Sequence, residues 1–154
     1  MILVAKTSLT VKMSIVGLRP TLRAFNDLPK DATKRLKDAT LELSRALAAK
    51  VKAEGMADEA PQSRLVATTV AAVRDRVPAI RAGGTKRLGR NRAPAFKLLF
   101  GSVFGSNYYR QFRRPHQGRD AYWFFPVVES SQAEIAAKWT AVADGIIRDF
   151  SEDA

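Results

Sequence analysis

His116 is the one histidine in the chain, and there is no cysteine, so it is the single side chain whose ordinary titration lies near neutrality. With an acid such as Asp120 to orient it, His116 would be the base of a Ser-His-Asp hydrolytic set. No serine is marked as the nucleophile, and a histidine between Pro115 and Gln117 reads as a solvated loop residue. One histidine without cysteine makes a transition-metal set improbable, and the carboxylates are scattered instead of spaced as in a calcium loop. Neither metal nor cofactor is expected, and no enzymatic activity. Gly84, Thr85, Lys86, Arg87, Leu88 and Gly89 match the glycine spacing of a phosphate-cradling loop. Arg90 and Asn91 then stand where the phosphate-reaching lysine and the magnesium-binding hydroxyl are required, so these glycines are read as serving a turn.

Charge is the stronger signal. The formal net charge is +11, and residues 76–119 hold eleven of the 26 Lys and Arg but none of the 15 Asp and Glu. Scattered surface lysine would give solubility alone. Segregation into one acid-free stretch instead creates a local positive field suited to a polyanion or an acidic protein surface, and salt should weaken it. Arg81, Lys86, Arg87, Arg90, Arg92 and Lys97 are the candidate contacts, on a glycine-containing loop at about 81–97.

These residues need a scaffold, and 154 residues with 46% apolar and 27% charged side chains suit one packed domain. The opening apolar run lacks the flanks of a signal peptide, and Lys or Arg interrupts every candidate membrane span, so a soluble protein with no membrane partner is expected. Leu9, Val11, Met13 and Ile15 alternate with Thr10, Lys12 and Ser14, which predicts a half-buried strand. A short segment with Leu22 and Phe25 follows from Pro20. A long helix begins near Pro29, its inward stripe read as Leu36, Ala39, Leu43, Leu47 and Val51, and Gly55 with the polar stretch to Pro61 is expected to stop it. Val66, Val70, Val73 and Val77 predict a second helix closing a helical hairpin. Residues 80–82 read as a short extended piece and 96–100 as a strand. Ser131 and Glu134 form a capping-box pattern that starts a final helix through Ile135, Trp139, Val142, Ile146 and Phe150, ahead of a short acidic tail. The expected class is α+β, with helices packed on a mainly antiparallel β-sheet and a long C-terminal helix.

Residues 108–125 interleave Tyr108, Tyr109, Phe112, Tyr122, Trp123, Phe124 and Phe125 with Arg110, Arg113, Arg114 and Arg119. Such interleaving would serve to stack bases and hold phosphates. Aromatic residues in a small α+β domain more often form its core or a subunit contact, and that reading is preferred, with Trp139 in the same set.

Three stretches carry a family resemblance. The first is the N-terminal strand with Gly17, Leu18, Arg19 and then Leu28, Pro29, Lys30 ahead of the long helix. The second is Val77 and Pro78 leading to Ile80, Arg81, Ala82, Gly83 and Gly84. The third runs from Gly105 and Ser106 through Tyr109, Arg110, Gln111 and Phe112 to Tyr122, Trp123, Phe124, Phe125 and Pro126. In this order they resemble the tail-completion, or neck, proteins of long-tailed double-stranded-DNA phages. The resemblance implies an α+β structural subunit of the virion, assembled in the host cytoplasm into a homo-oligomeric ring, expected to be a hexamer. Its implied partners are the head connector or head-closure protein and the tail-tube or tail-terminator protein, around a channel that passes genomic DNA. A heterologous interface whose rotation closes makes such a ring from one chain. The charge at 81–97 exceeds what the resemblance requires and leaves DNA and acidic protein both open as partners. The alternative is a non-specific nucleic-acid-binding protein that uses the same Arg-rich loop.

Overall fold

A computed structural model of the protein describes residues 2–4, 7–105 and 122–152. Strands β1 (Ile2–Val4) and β2 (Ser8–Lys12) lead into helices α1 (Leu18–Asn26), α2 (Lys30–Ala57) and α3 (Pro61–Ala67). Strands β3 (Ala71–Val73) and β4 (Ala79–Gly83) follow, then a small hairpin of β5 (Arg87–Leu88) and β6 (Ala93–Pro94). Helices α4 (Ala95–Phe104) and α5 (Phe124–Glu152) complete the described chain. The class is α+β, with helices on a small antiparallel sheet of order β1-β2-β4-β3.

Period-two patterning sets the sheet's two faces. Leu9 and Val11 of β2 stand opposite Ala82 and Ile80 of β4, and all four are buried. The alternate positions Ser8, Thr10 and Lys12 are half-buried, and Arg81 is exposed beside Thr10. Helix α2 lies along β3 and β4 and also packs on α5. Its Ala, Leu, Lys and Glu content favours a helix of 28 residues, about 42 Å long.

The buried face of α2 differs from the expected stripe. Ala32, Leu36, Thr40, Ser44, Leu47, Ala48, Val51 and Gly55 are buried, whereas Ala39 and Leu43 are only half-buried. Small and hydroxylated residues are needed here because the helix lies close to strand backbone: Ser44 Oγ accepts the Ala79 N–H at 3.0 Å. The helix ends at Ala57, within the stretch from Gly55 to Pro61 expected to stop it, and Gly55 itself lies in its last turn. A Cβ at position 55 would stand 2.6 Å from Ala67 Cβ and 2.7 Å from the Trp123 ring, so its glycine permits close approach.

Three further expectations are corrected. The valine series at 66–77 is not one helix: α3 ends at Ala67, and Val73 lies in β3. Thr69 explains the change of direction, since its hydroxyl donates to the Val66 carbonyl (2.6 Å) and accepts the Gly83 N–H (2.9 Å). Residues 96–100 are helical, with Ala95, Leu98, Leu99, Ser102 and Val103 buried at helical spacing. The last helix begins at Phe124, not Ser131, and Ser131 is a buried mid-helix residue. Pro126 interrupts nothing, because the first turn of a helix has no intrahelical use for its N–H groups.

Candidate functional site

The basic segment is built as a hairpin followed by a helix, where a loop was expected. Arg87 pairs with Pro94 and Leu88 with Ala93. Leu88 and Pro94 are buried and tie the hairpin to the body, while Lys86 accepts the Ala95 N–H through its carbonyl at 2.8 Å. Gly89 turns the chain at φ 70°, and Arg92 closes the turn at φ 50°, a left-handed conformation uncommon for a residue with a side chain. The Arg87 guanidinium donates to the Arg92 carbonyl at 3.0 Å and so braces that turn. The glycines of the supposed phosphate loop flank β5: Gly84 precedes it at φ 101° and Gly89 follows it.

All six candidate cations, Arg81, Lys86, Arg87, Arg90, Arg92 and Lys97, are exposed. Among the described residues none of them forms an ion pair. Elsewhere some cations do have ionic partners: Arg35 meets Asp149 at 3.2 Å, Arg74 meets Asp38 at 2.8 Å, and Glu134 takes both Lys138 and Lys50. The Lys138 hydrogen bond and charge, with Lys50 beside them, hold the Glu134 carboxyl below the usual range.

The aromatic candidates divide differently. Trp123, Phe124, Phe125 and Trp139 are core residues. Trp123 Nε1 donates to the Ser102 carbonyl at 3.2 Å and Trp139 Nε1 to the Arg76 carbonyl at 2.7 Å, so both indoles satisfy their polar atom inside. Tyr122 is half-buried against the same cluster. Tyr108, Tyr109 and Phe112 lie outside the described residues, as do His116, Asp120 and the arginines at 110, 113, 114 and 119.

One charged cluster escaped the sequence reading. Lys12, Arg19, Asp75 and Arg76 line an open concavity of about 630 Å³ at the Lys12 end of the sheet. Lys12 Nζ lies 3.0 Å from Asp75 Oδ2, and the Arg76 N–H donates to Asp75 Oδ1 at 2.7 Å. Burial pushes the Asp75 carboxyl up, but the bonds from Lys12 and Arg76 and their charges outweigh it, and the net direction is down. Lys12 and Asp75 are 63 residues apart, so no local pattern signals the pair; only the strand alternation that turns Lys12 outward was readable. Beside this concavity Val16 is 99% exposed. No cluster of three or more His, Cys, Asp or Glu suited to a metal occurs among the described residues, and none of their helices is long and apolar enough to cross a membrane.

No protein-family model matches the chain, and neither the curated proteins nor the solved structures gave a match.

Proposed function

We propose that this chain is a non-enzymatic structural subunit of a phage neck, forming a six-membered ring that completes the tail and joins it to the head connector around the DNA channel. The observation that carries the reading is the division between the two candidate sets. The aromatic residues at 123–125 are buried, which suits a packed scaffold, while six exposed cations without ionic partners among the described residues suit a surface meant for something outside the chain. The ordered family-like stretches at 17–30, 77–84 and 105–126 support the same reading. The partners proposed with it are the head connector or head-closure protein above and the tail-tube or tail-terminator protein below. Mass spectrometry of purified particles tests it: the chain should be present at ring stoichiometry. Intact particles with a normal neck and no trace of this chain would defeat the assignment. The hairpin's unpaired charge also favours a second reading, a free non-specific nucleic-acid-binding protein, which predicts association with DNA in infected cells but no incorporation into particles.

A further inference from the structure

Two surface features have no explanation within the described chain. Val16 is 99% exposed in the turn between β2 and α1, where an apolar side chain gains nothing from its own fold. Gly145 stands in the middle of α5, where glycine is about 1 kcal/mol worse than alanine, yet a Cβ there would meet nothing within 4 Å. Gly55 sets the contrast, because Ala67 and the Trp123 ring require its missing side chain. Gly145 instead opens into a groove of about 460 Å³ between α2 and α5, lined by Ala39, Ala141, Val142 and Ile146 and rimmed by Asp38 and Asp149. Val16 lies away from this groove. Gln132 of α5 donates to the Ser14 carbonyl, two residues before Val16, and Trp139 donates to the Arg76 carbonyl. Helix geometry turns Gly145 about a third of a turn from both residues and sets it about 20 Å along the axis from Gln132. A chain therefore cannot seat its own Val16 over its own Gly145.

We propose that Val16 of one copy seats over Gly145 in the α2–α5 groove of the next, a head-to-tail contact between copies of this chain. An apolar knob on one surface and a matching hole on another make a heterologous interface, which builds a ring where its rotation closes. The missing side chain at Gly145 is what lets the knob reach the groove floor. Charge around the two halves is complementary. Arg19 and Arg23 follow Val16 on α1, and Asp144 adjoins Gly145; all three are exposed and without ion pairs among the described residues. Asp38 and Asp149 add acid at the rim of the groove, although Arg74 and Arg35 already pair with them. An apolar centre inside a charged rim is the usual build of a subunit contact. The contact supplies the joint of the ring proposed above and rests on that reading for its closure alone.

The sequence has no cysteine, so introduced thiols report this contact alone. Whole-chain Val16→Cys mixed with Gly145→Cys under an added oxidant should give a cross-linked one-to-one dimer. Val16→Cys mixed with Thr140→Cys, which is exposed on α5 and turned away from the groove, is the control and should give far less. In sedimentation velocity the wild-type chain should self-associate, and Val16→Asp and Gly145→Leu should each weaken that association by about tenfold or more. Their melting temperatures should not fall, since Val16 touches nothing and leucine is the better helix former. A mixture of these two variants should form a dimer and nothing larger, because one intact knob and one intact groove remain between them. Equal cross-linking at Thr140 and Gly145 would overturn the proposal, as would cross-links mainly between two copies of Cys-substituted position 16. It falls also if the wild-type chain stays monomeric without cross-linking, or if Gly145→Leu and Gly145→Ala both destabilise the fold. Gly145→Leu that impairs particle assembly but not self-association would assign the groove to a different neck protein, and the proposal falls. Absence of the chain from particles would leave these solution results unchanged, so the neck assignment and this contact fail separately.

Discussion

The aromatic junction and the basic hairpin lie on either side of helix α4 and use their residues in opposite ways. At the junction the chain excludes charge: Gly55 admits the Trp123 ring, Trp123 meets Phe124 edge-on at 5.5 Å, and Phe125 touches both Phe124 (5.0 Å) and Phe104 (5.7 Å). At the hairpin only Leu88 and Pro94 reach inward, and the arginines remain in water. The difference teaches that the exposed charge and the apolar burial are kept in separate segments. The hairpin's cations are placed where their repulsion costs the fold little, next to a region where apolar burial supplies the stability.

The sharpest way to break this contrast is Trp123→Ala, which removes a buried ring and its bond to the Ser102 carbonyl and should cost about 3–5 kcal/mol in denaturant unfolding. An unchanged midpoint would place the ring outside the cooperative core. Gly55→Ala attacks the same junction from the other side: overpacking against Ala67 and Trp123 exceeds the helix-propensity gain, for a net loss of about 1–2 kcal/mol. A stabilised Gly55→Ala variant would mean that the ring moves aside freely. At the hairpin, changing Arg87, Arg90 and Arg92 together to Ser should alter stability by less than about 1 kcal/mol, because what is lost is the exposed bond from the Arg87 guanidinium to the Arg92 carbonyl. Unfolding of that triple variant would make the hairpin a structural brace. Neck completion or DNA retention in particles should fall instead.

A smaller effect distinguishes paired from unpaired charge. The folded Asp75 carboxyl titrates below its ordinary value, so its contribution is full above about pH 3.9 and is lost as pH falls through the depressed folded value. Asp75→Asn should therefore cost at most about 1 kcal/mol at neutral pH, and the gap to the wild type should close in acid titrations of stability. A gap that persists at low pH would point to packing. The smallest expected change is Arg92→Gly, which relieves the left-handed turn and should raise the melting temperature by the equivalent of about 0.5 kcal/mol, the glycine's own entropy cost offsetting part of the gain.

How much could be read beforehand depended on whether the deciding contact was local. The alternation at 9–15 is a property of adjacent residues and gave strand β2, which ends at Lys12 while the alternating burial runs on to Ile15; the six cations, expected to project, are all exposed. The stripe on α2 was misread because its inward face is chosen by Ser44 meeting Ala79, 35 residues away, which favours a hydroxyl over a larger apolar group. Residues 96–100 look like a strand as a five-residue apolar run, yet over ten residues the burial at 95, 98, 99, 102 and 103 is helical. The capping pattern at Ser131 misled because a Ser and a Glu three residues apart occur inside helices too: the helix already runs from Phe124, with Pro126 in its first turn. Of the candidate site, the hairpin cations were legible and the Lys12, Arg19, Asp75 and Arg76 cluster was not, since three separate segments assemble it.

The hydroxyl of Thr69 donates to the end of α3 and accepts the amide of Gly83 at the root of the basic hairpin. That amide is buried in its bond only while the last turn of α3 holds Thr69 in place, so its exchange with solvent deuterium requires α3 to fray. A single main-chain hydrogen thus reports on the footing of the charged hairpin from inside the body. The arms of the molecule that face outward cannot loosen at this root without the interior registering it.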